Sequence, residues 1–406
     1  MSAAFDSYNF RIVTISFLES IKIHIFSFIW GLWTLVKHIF WRLYGKRKVK
    51  DERENAPTCL VDNSFGQHLY VKLKGVKFHY VDSGDKNKPV ILFLHGFPDF
   101  WISWSSQVPA LVEYFRVICL DLKGFGDSDK PLSRSNYKVC ILLHELRNFI
   151  CTLNISSCHV VGHDIGALLG WYLVSLYPQH VKKFVAISCP HPNLYWNQQL
   201  SKNCLFNSRW IQFSQLPHLP EQHALDFNIV NKCYQHLSAN DKYKRNAYLD
   251  AYKYTFSRKE DWTGPLNYFR NLPFNRLKTA SSTKSEINKV KVPVLLLTGS
   301  ADNCVSLESI VRSTDFAEQF KLKIIDNSSH YPHQQQPDQV NNLLLNFLID
   351  EDQVDSKQVN QQTGLVGKMY GAVSNTVKYG NQMIESVQKT TNNVVSKAFY
   401  FGPSQS

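Results

Sequence analysis

The run His159-Val160-Val161 passes directly into Gly162-His163-Asp164-Ile165-Gly166, and an apolar, helix-length segment follows. A short β-branched run ending in a small-x-polar-x-small pentapeptide predicts a strand-to-helix turn so sharp that only small residues fit on either side of its centre. Such a turn lifts the central side chain, here Asp164, clear of the end of the strand. It also constrains the rest of the chain, because the strand needs neighbours on both sides and the helix needs a face to cover.

Those neighbours are legible. Short β-branched or apolar runs recur at Val76–Val81, Val90–Leu94, Arg116–Leu120, Phe184–Ser188, Val292–Thr298 and Leu322–Ile325, separated by turn residues and by helix-length stretches such as Val139–Leu153. The alternation predicts an α/β chain with a mostly parallel sheet and helices on both faces. It breaks once, over residues 192–291, which are rich in Tyr, Trp, Asn and Leu. An insertion there falls at the C-terminal edge of the sheet and is expected to form a helical cap. The expected core is therefore split, with residues 65–191 as its first part and 292–350 as its second.

The residue types at the strand ends specify a chemistry. A carboxylate is ionised near neutral pH and needs no base to become a nucleophile, so Asp164 suits backside displacement at a saturated carbon. The resulting ester must then be cleaved by water, which calls for a base and for an oxyanion hole. His95-Gly96-Phe97-Pro98 follows one strand and offers the backbone N–H of Phe97, to pair with that of Ile165. Thr298-Gly299-Ser300-Ala301-Asp302 closes another strand with a carboxylate, and Ser329-His330 follows the next with an imidazole. In the expected roles Asp302 fixes the tautomer of His330, and His330 activates water. The chain order nucleophile, acid, histidine is that of the α/β-hydrolase fold. His95 and His163, flanking the oxyanion turn and the elbow, are read as structural, and Asp121 and Asp127 as turn formers. No metal or organic cofactor is implied, since this chemistry needs only water and the histidines lack HExxH spacing.

The termini carry a different signal. Residues 11–41 are dominated by Ile, Leu, Phe and Trp, yet Glu19, Lys22, Lys37 and two histidines divide them, and the longest stretch free of Asp, Glu, Lys and Arg runs only from Ile23 to Val36. That is shorter than the roughly twenty residues a spanning helix needs. A membrane helix within residues 1–50 must therefore let Lys22 or Lys37 snorkel; the alternative is a helix lying in the interface. Lys46-Arg47-Lys48-Val49-Lys50 follows, giving a basic flank suited to anionic headgroups. The net charge of +12 is otherwise scattered, which argues against a nucleic-acid partner. The charge asymmetry about the apolar run, and an Asn327-Ser328-Ser329 sequon beside His330, favour a cytosolic catalytic domain. The nine irregularly spaced cysteines read as reduced thiols. Residues 351–406 comprise a linker and a weakly apolar amphipathic segment, for which packing on the core, disorder and lipid-surface binding all stay open.

These motifs resemble the epoxide hydrolases of the α/β-hydrolase fold, in particular the membrane-anchored animal group. The similar stretches are His95–Trp104, Asp121–Pro131, Gly162–Gly166, Pro190–Asn193, Gly264–Asn271 and His330–Pro337. The resemblance implies a lipophilic small-molecule substrate, such as an epoxy fatty acid, opened to a vicinal diol through an aspartyl ester. It implies a membrane-lipid partner, with the endoplasmic reticulum as the expected location. It also implies two cap tyrosines that donate to the leaving alkoxide, and here the sequence departs: Phe269 stands at the second position and Trp210 at the first, while Ile165 replaces the family's common Trp. Trp210, Tyr268, Tyr252 and Tyr254 remain as candidate donors. A dehalogenase of the same branch and a lipid-binding protein with little turnover are the alternative readings.

Overall fold

The computed structural model describes residues 10–44, 55–196, 208–226, 228–238, 244–279 and 289–349. The basic run at 46–50 and the amphipathic segment at 351–406 lie outside the described residues.

An eight-stranded sheet forms the centre. In chain order its strands are β2 (Gln67–Leu73), β3 (Val76–Ser83), β4 (Val90–Leu94), β5 (Arg116–Leu120), β6 (Cys158–His163), β7 (Val181–Ile187), β9 (Val294–Gly299) and β10 (Phe320–Ile325). Two further strands, β1 (Phe10–Thr14) and β8 (Asn275–Thr279), pair antiparallel as a separate ribbon. The order across the large sheet is β10-β9-β7-β6-β4-β5-β3-β2. All its pairings are parallel except β2 with β3 and β3 with β5. The sheet is thus mostly parallel, with an antiparallel hairpin at one edge.

The central strands carry apolar runs for a physical reason. Successive side chains of a strand point to opposite faces, and Ile91–Leu94, Val160–Val161, Phe184–Ile187 and Leu295–Leu297 are all buried, so both faces of the sheet are covered. Helices between the parallel strands supply cover, among them Val139–Thr152 and Ile165–Leu176. The strand order also concentrates chemistry. Asp164, Asp302 and the residues after His95 all follow the C-terminal ends of strands near the middle of the sheet.

The described part of the 192–291 segment is mostly helical. It includes the helices Ser208–Ser214, Leu219–Asp226, Lys244–Thr255 and Glu260–Phe269, before β8 leads away. Arg270 ties this segment together. Its guanidinium donates to the Ser214 carbonyl at 2.7 Å and to Glu221 Oε1 at 2.9 Å, so a buried charge is paired and hydrogen-bonded.

The N-terminal segment forms one helix, α1 (Phe17–Tyr44). No helix among the described residues is long and apolar enough to cross a membrane. The expected spanning helix is therefore not confirmed. Glu19, Lys22 and Lys37 interrupt the apolar run, and one face of α1 is occupied by protein. Trp30 Nε1 donates to Gln212 Oε1 at 2.9 Å, the Arg209 guanidinium lies 4.6 Å from the Trp30 ring centre, and the backbone of Gly31 sits against Leu216.

Candidate functional site

Asp164 occupies the elbow with φ +47° and ψ −118°, a left-handed backbone rarely adopted by an L residue. Tight surroundings impose it. A Cβ on Gly162 would lie 2.6 Å from the backbone of Ala167, and one on Gly166 would lie 2.3 Å from the carbonyl oxygen of Leu94. The small-x-Asp-x-small pattern is thus a packing requirement: only hydrogen atoms fit where this turn meets its neighbours.

The two oxygens of Asp164 have different surroundings. Phe97 N–H donates to Oδ2 at 3.2 Å, and the Ile165 N–H also bonds the carboxylate. On Oδ1 the Tyr195 hydroxyl donates at 2.8 Å, and His330 Nε2 lies 3.9 Å away. Burial raises the Asp164 pKa, opposed by the His330 charge and by the bonds from Tyr195, Ile165 and Phe97. His330 Nδ1 in turn lies 3.0 Å from Asp302 Oδ2 and 3.2 Å from Oδ1. The structure therefore brings Asp164, His330 and Asp302 together, with His330 between the two carboxylates.

The surrounding groups hold this line in place. His163 Nε2 donates to the His330 carbonyl at 2.8 Å, and burial holds the His163 pKa well below its usual range. His95 is likewise neutral: burial lowers its pKa to about 4, Nδ1 donates to the Gly96 carbonyl at 2.9 Å, and Nε2 accepts from Leu122 N–H at 3.1 Å. Asp121 accepts from Trp101 N–H at 2.8 Å and Asp127 N–H at 3.0 Å, joining the oxyanion turn to the loop after β5. Asp99 is fully buried behind the same turn. It accepts from Tyr252 at 2.8 Å and from Ser103 at 2.7 Å, and burial pushes its pKa up to about 7.

Among the described residues, two groups of side chains bring metal-ligand atoms within 4.8 Å of one another: Asp99, His163 and His333, and Asp302, Cys304 and His330. In the second the Asp302–His330 hydrogen bond accounts for the closeness. In the first, Asp99 already accepts three hydrogen bonds.

Above the oxyanion turn lies an aromatic cluster. Phe269 meets Phe97 edge-on at 4.7 Å between ring centres, Trp210 lies 6.0 Å from Phe97, and Trp210 and Phe269 are 6.4 Å apart. The sequence-selected positions Trp210 and Phe269 thus come together beside Phe97. The tyrosine candidates are disposed otherwise. Tyr268 donates to the Lys123 carbonyl at 3.0 Å and Tyr252 to Asp99, while Tyr254 is half-buried on the helix Lys244–Thr255. The phenol that touches Asp164 is Tyr195, which no motif distinguishes.

A family model described as the alpha/beta hydrolase fold matches residues 89–337. Epoxide hydrolase 4 of Homo sapiens is 34% identical over 340 residues, which cover 81% of this chain and 90% of that protein. The chain belongs to the epoxide hydrolase family of the α/β-hydrolase fold. Epoxide hydrolase 3 of Xenopus tropicalis is a further relative, 36% identical over 310 residues, covering 74% of this chain and 82% of its own. Among solved structures, a mutant epoxide hydrolase from Bacillus megaterium in complex with its naphthyloxy-propanediol product superposes with a TM-score of 0.58. It is 28% identical and covers 69% of this chain and 99% of its own. Phe269 and Trp210 stand at the two positions where the resemblance implies cap tyrosines.

Proposed function

We propose that the protein hydrolyses lipophilic epoxides to vicinal diols through an ester on Asp164. The observation that carries this reading is the asymmetry of the Asp164 carboxylate. With Oδ2 bonded by the Phe97 N–H, Oδ1, on the side of His330 and the Tyr195 hydroxyl, is the oxygen that attacks an epoxide carbon, and the carbon–oxygen bond of the strained ring breaks as the ester forms. The indole N–H of Trp210 takes the place of a cap tyrosine as donor to the leaving oxygen. His330, oriented by Asp302, then removes a proton from water, and the hydroxide adds to Asp164 Cγ while Oδ2 collects charge in the oxyanion hole. Family membership supports the reading, as does the naphthyloxy-propanediol product held by the Bacillus megaterium relative. The aromatic cluster of Trp210, Phe269 and Phe97 supports an apolar substrate.

The test is diol formation from an epoxy fatty acid and from an aryl glycidyl ether, with Asp164→Ala as control. Diol from the wild type alone supports the proposal. No turnover of either epoxide, together with halide release from a halogenated substrate, transfers the site to the dehalogenase reading.

The second part of the proposal concerns location: α1 lies in the interface of a membrane, on the cytosolic face of the endoplasmic reticulum. Its amphipathicity is inverted relative to a helix that covers a core. Ser27 and Gly31 face protein, whereas Phe17, Ile25, Phe28, Leu32, Trp33 and Phe40 are between 54 and 78% exposed. Side chains of this kind at three- and four-residue spacing form an apolar stripe suited to the acyl boundary.

A further inference from the structure

The hydroxyl of Tyr195 sits on a particular oxygen, and the bond inventory of the two-step reaction shows what that oxygen becomes. This inference rests on the Asp164-ester reading. Oδ1 bonds the substrate carbon in the first step and so becomes the bridging oxygen of the ester. In the second step the Cγ–Oδ1 bond is the one that breaks, and Oδ1 departs with the diol as an alkoxide unless a proton reaches it. The group within hydrogen-bond distance of Oδ1 is the Tyr195 phenol, at 2.8 Å.

We propose that Tyr195 is a catalytic acid of the deacylation half-reaction, donating its proton to Oδ1 as the ester collapses. A phenol is a neutral donor near pH 7 and suits a leaving alkoxide. The protons balance as follows. His330 Nε2 takes one proton from water, and the resulting hydroxide forms the new bond to Cγ. On collapse the Cγ–Oδ1 electron pair goes to Oδ1, which takes the phenolic proton and leaves as the diol hydroxyl. The His330 imidazolium, whose Nε2 lies 3.9 Å from Oδ1, returns a proton to the phenolate. Asp164, now carrying Oδ2 and the oxygen of water, releases its remaining proton to solvent. That proton replaces the one taken up by the alkoxide when the ring opened.

The mount of Tyr195 fits a positioned acid. Tyr195 ends the short helix Pro192–Tyr195. Asn193 fixes that helix to β8 through both side-chain atoms: Nδ2 donates to the Leu277 carbonyl at 2.8 Å, and Oδ1 accepts from Leu277 N–H at 2.9 Å. One residue before the helix, His191 N–H donates to Ser313 Oγ at 2.9 Å. The helix therefore has anchors on two sides of the site, and the phenol is presented from a fixed base.

The first half-reaction has the opposite requirement. A hydrogen bond on Oδ1 withdraws charge from the attacking oxygen, so removing the phenol leaves ring opening unhindered while it slows ester hydrolysis. The experiment is a rapid mix of full-length Tyr195→Phe with excess epoxide, quenched and read by intact-protein mass for the substrate adduct. The account predicts that the variant accumulates as the ester, with deacylation slowed about 10²-fold and alkylation as fast as in the wild type or faster. The double variant Tyr195→Phe/His330→Gln reports folding, because it reaches full ester occupancy only if the site is formed. Equal slowing of both half-reactions, or no ester in Tyr195→Phe while the double variant esterifies fully, overturns the role of Tyr195. No ester in His330→Gln alone overturns the Asp164-ester reading instead.

Discussion

Asp164 and Asp99 are both buried carboxyls near the same turn, and burial raises the pKa of both against the pull of their hydrogen-bond partners. Asp164 must be ionised to attack, and burial raises its pKa. Ring opening is therefore expected to fail on acidification at a higher pH than an ordinary carboxylate would set, about 3.9. Asp99, with its pKa pushed up to about 7, favours the protonated form in the folded state. Its contribution to stability is full below about pH 3.9, where the unfolded carboxyl is also protonated, and is lost as pH rises towards about 7. Asp99→Asn should accordingly flatten the fall in thermal stability between those limits; a variant whose melting temperature tracks the wild type across that window would refute the assignment. The sequence reveals Asp164 because an elbow is a local pattern of small residues. It is silent on Asp99 and Tyr195, because neither burial behind a turn nor a hydrogen bond across 31 residues leaves a local pattern.

At the scale of elements, the elbow is the least tolerant joint of the fold. The Cβ of Gly166→Ala would meet the carbonyl oxygens of Leu94 and His95 at 2.3 and 2.4 Å, and backbone cannot move aside as a flexible side chain can. A loss of about 3 kcal/mol or more is expected in chemical denaturation, at the upper end for overpacking. A loss under 1 kcal/mol would show that the turn relaxes. The helix α1 makes a separate prediction. Charges placed on its exposed stripe, Phe28→Glu with Leu32→Glu, should abolish flotation with anionic vesicles and leave turnover of a water-soluble epoxide within about twofold, because Ser27 and Gly31 hold the other face on the protein. Undiminished flotation would remove α1 from the membrane contact. The central strands β4, β5, β6, β7 and β9 are legible because burial on both faces gives them apolar runs, whereas β10 is legible from alternation, with Lys321 and Ile324 exposed. The ribbon of β1 with β8 is not, since Phe10–Thr14 and Asn275–Thr279 mix polar and apolar residues and find each other only through tertiary contact.

For the whole molecule, the fold places the Asp164 carboxylate, the His330 imidazole and an aromatic wall near one another at the C-terminal ends of parallel strands. Sequence order alone indicates the triad, because the four motifs occupy the ends of predicted strands in the order of a known fold. The donor for the leaving oxygen is less legible, because cap residues act through their packing: Tyr268 and Tyr252 look suitable in the sequence, yet their hydroxyls bond Lys123 and Asp99. The ester on Asp164 joins all these parts, and a single turnover in water enriched with heavy oxygen tests it most directly. With enzyme in excess over epoxide, the account predicts that the heavy oxygen enters the Asp164-containing peptide and that the first diol formed carries none, because the diol leaves with Oδ1. Heavy oxygen in the first-turnover diol and none in Asp164 would mean that water attacks the epoxide directly, and would contradict the account.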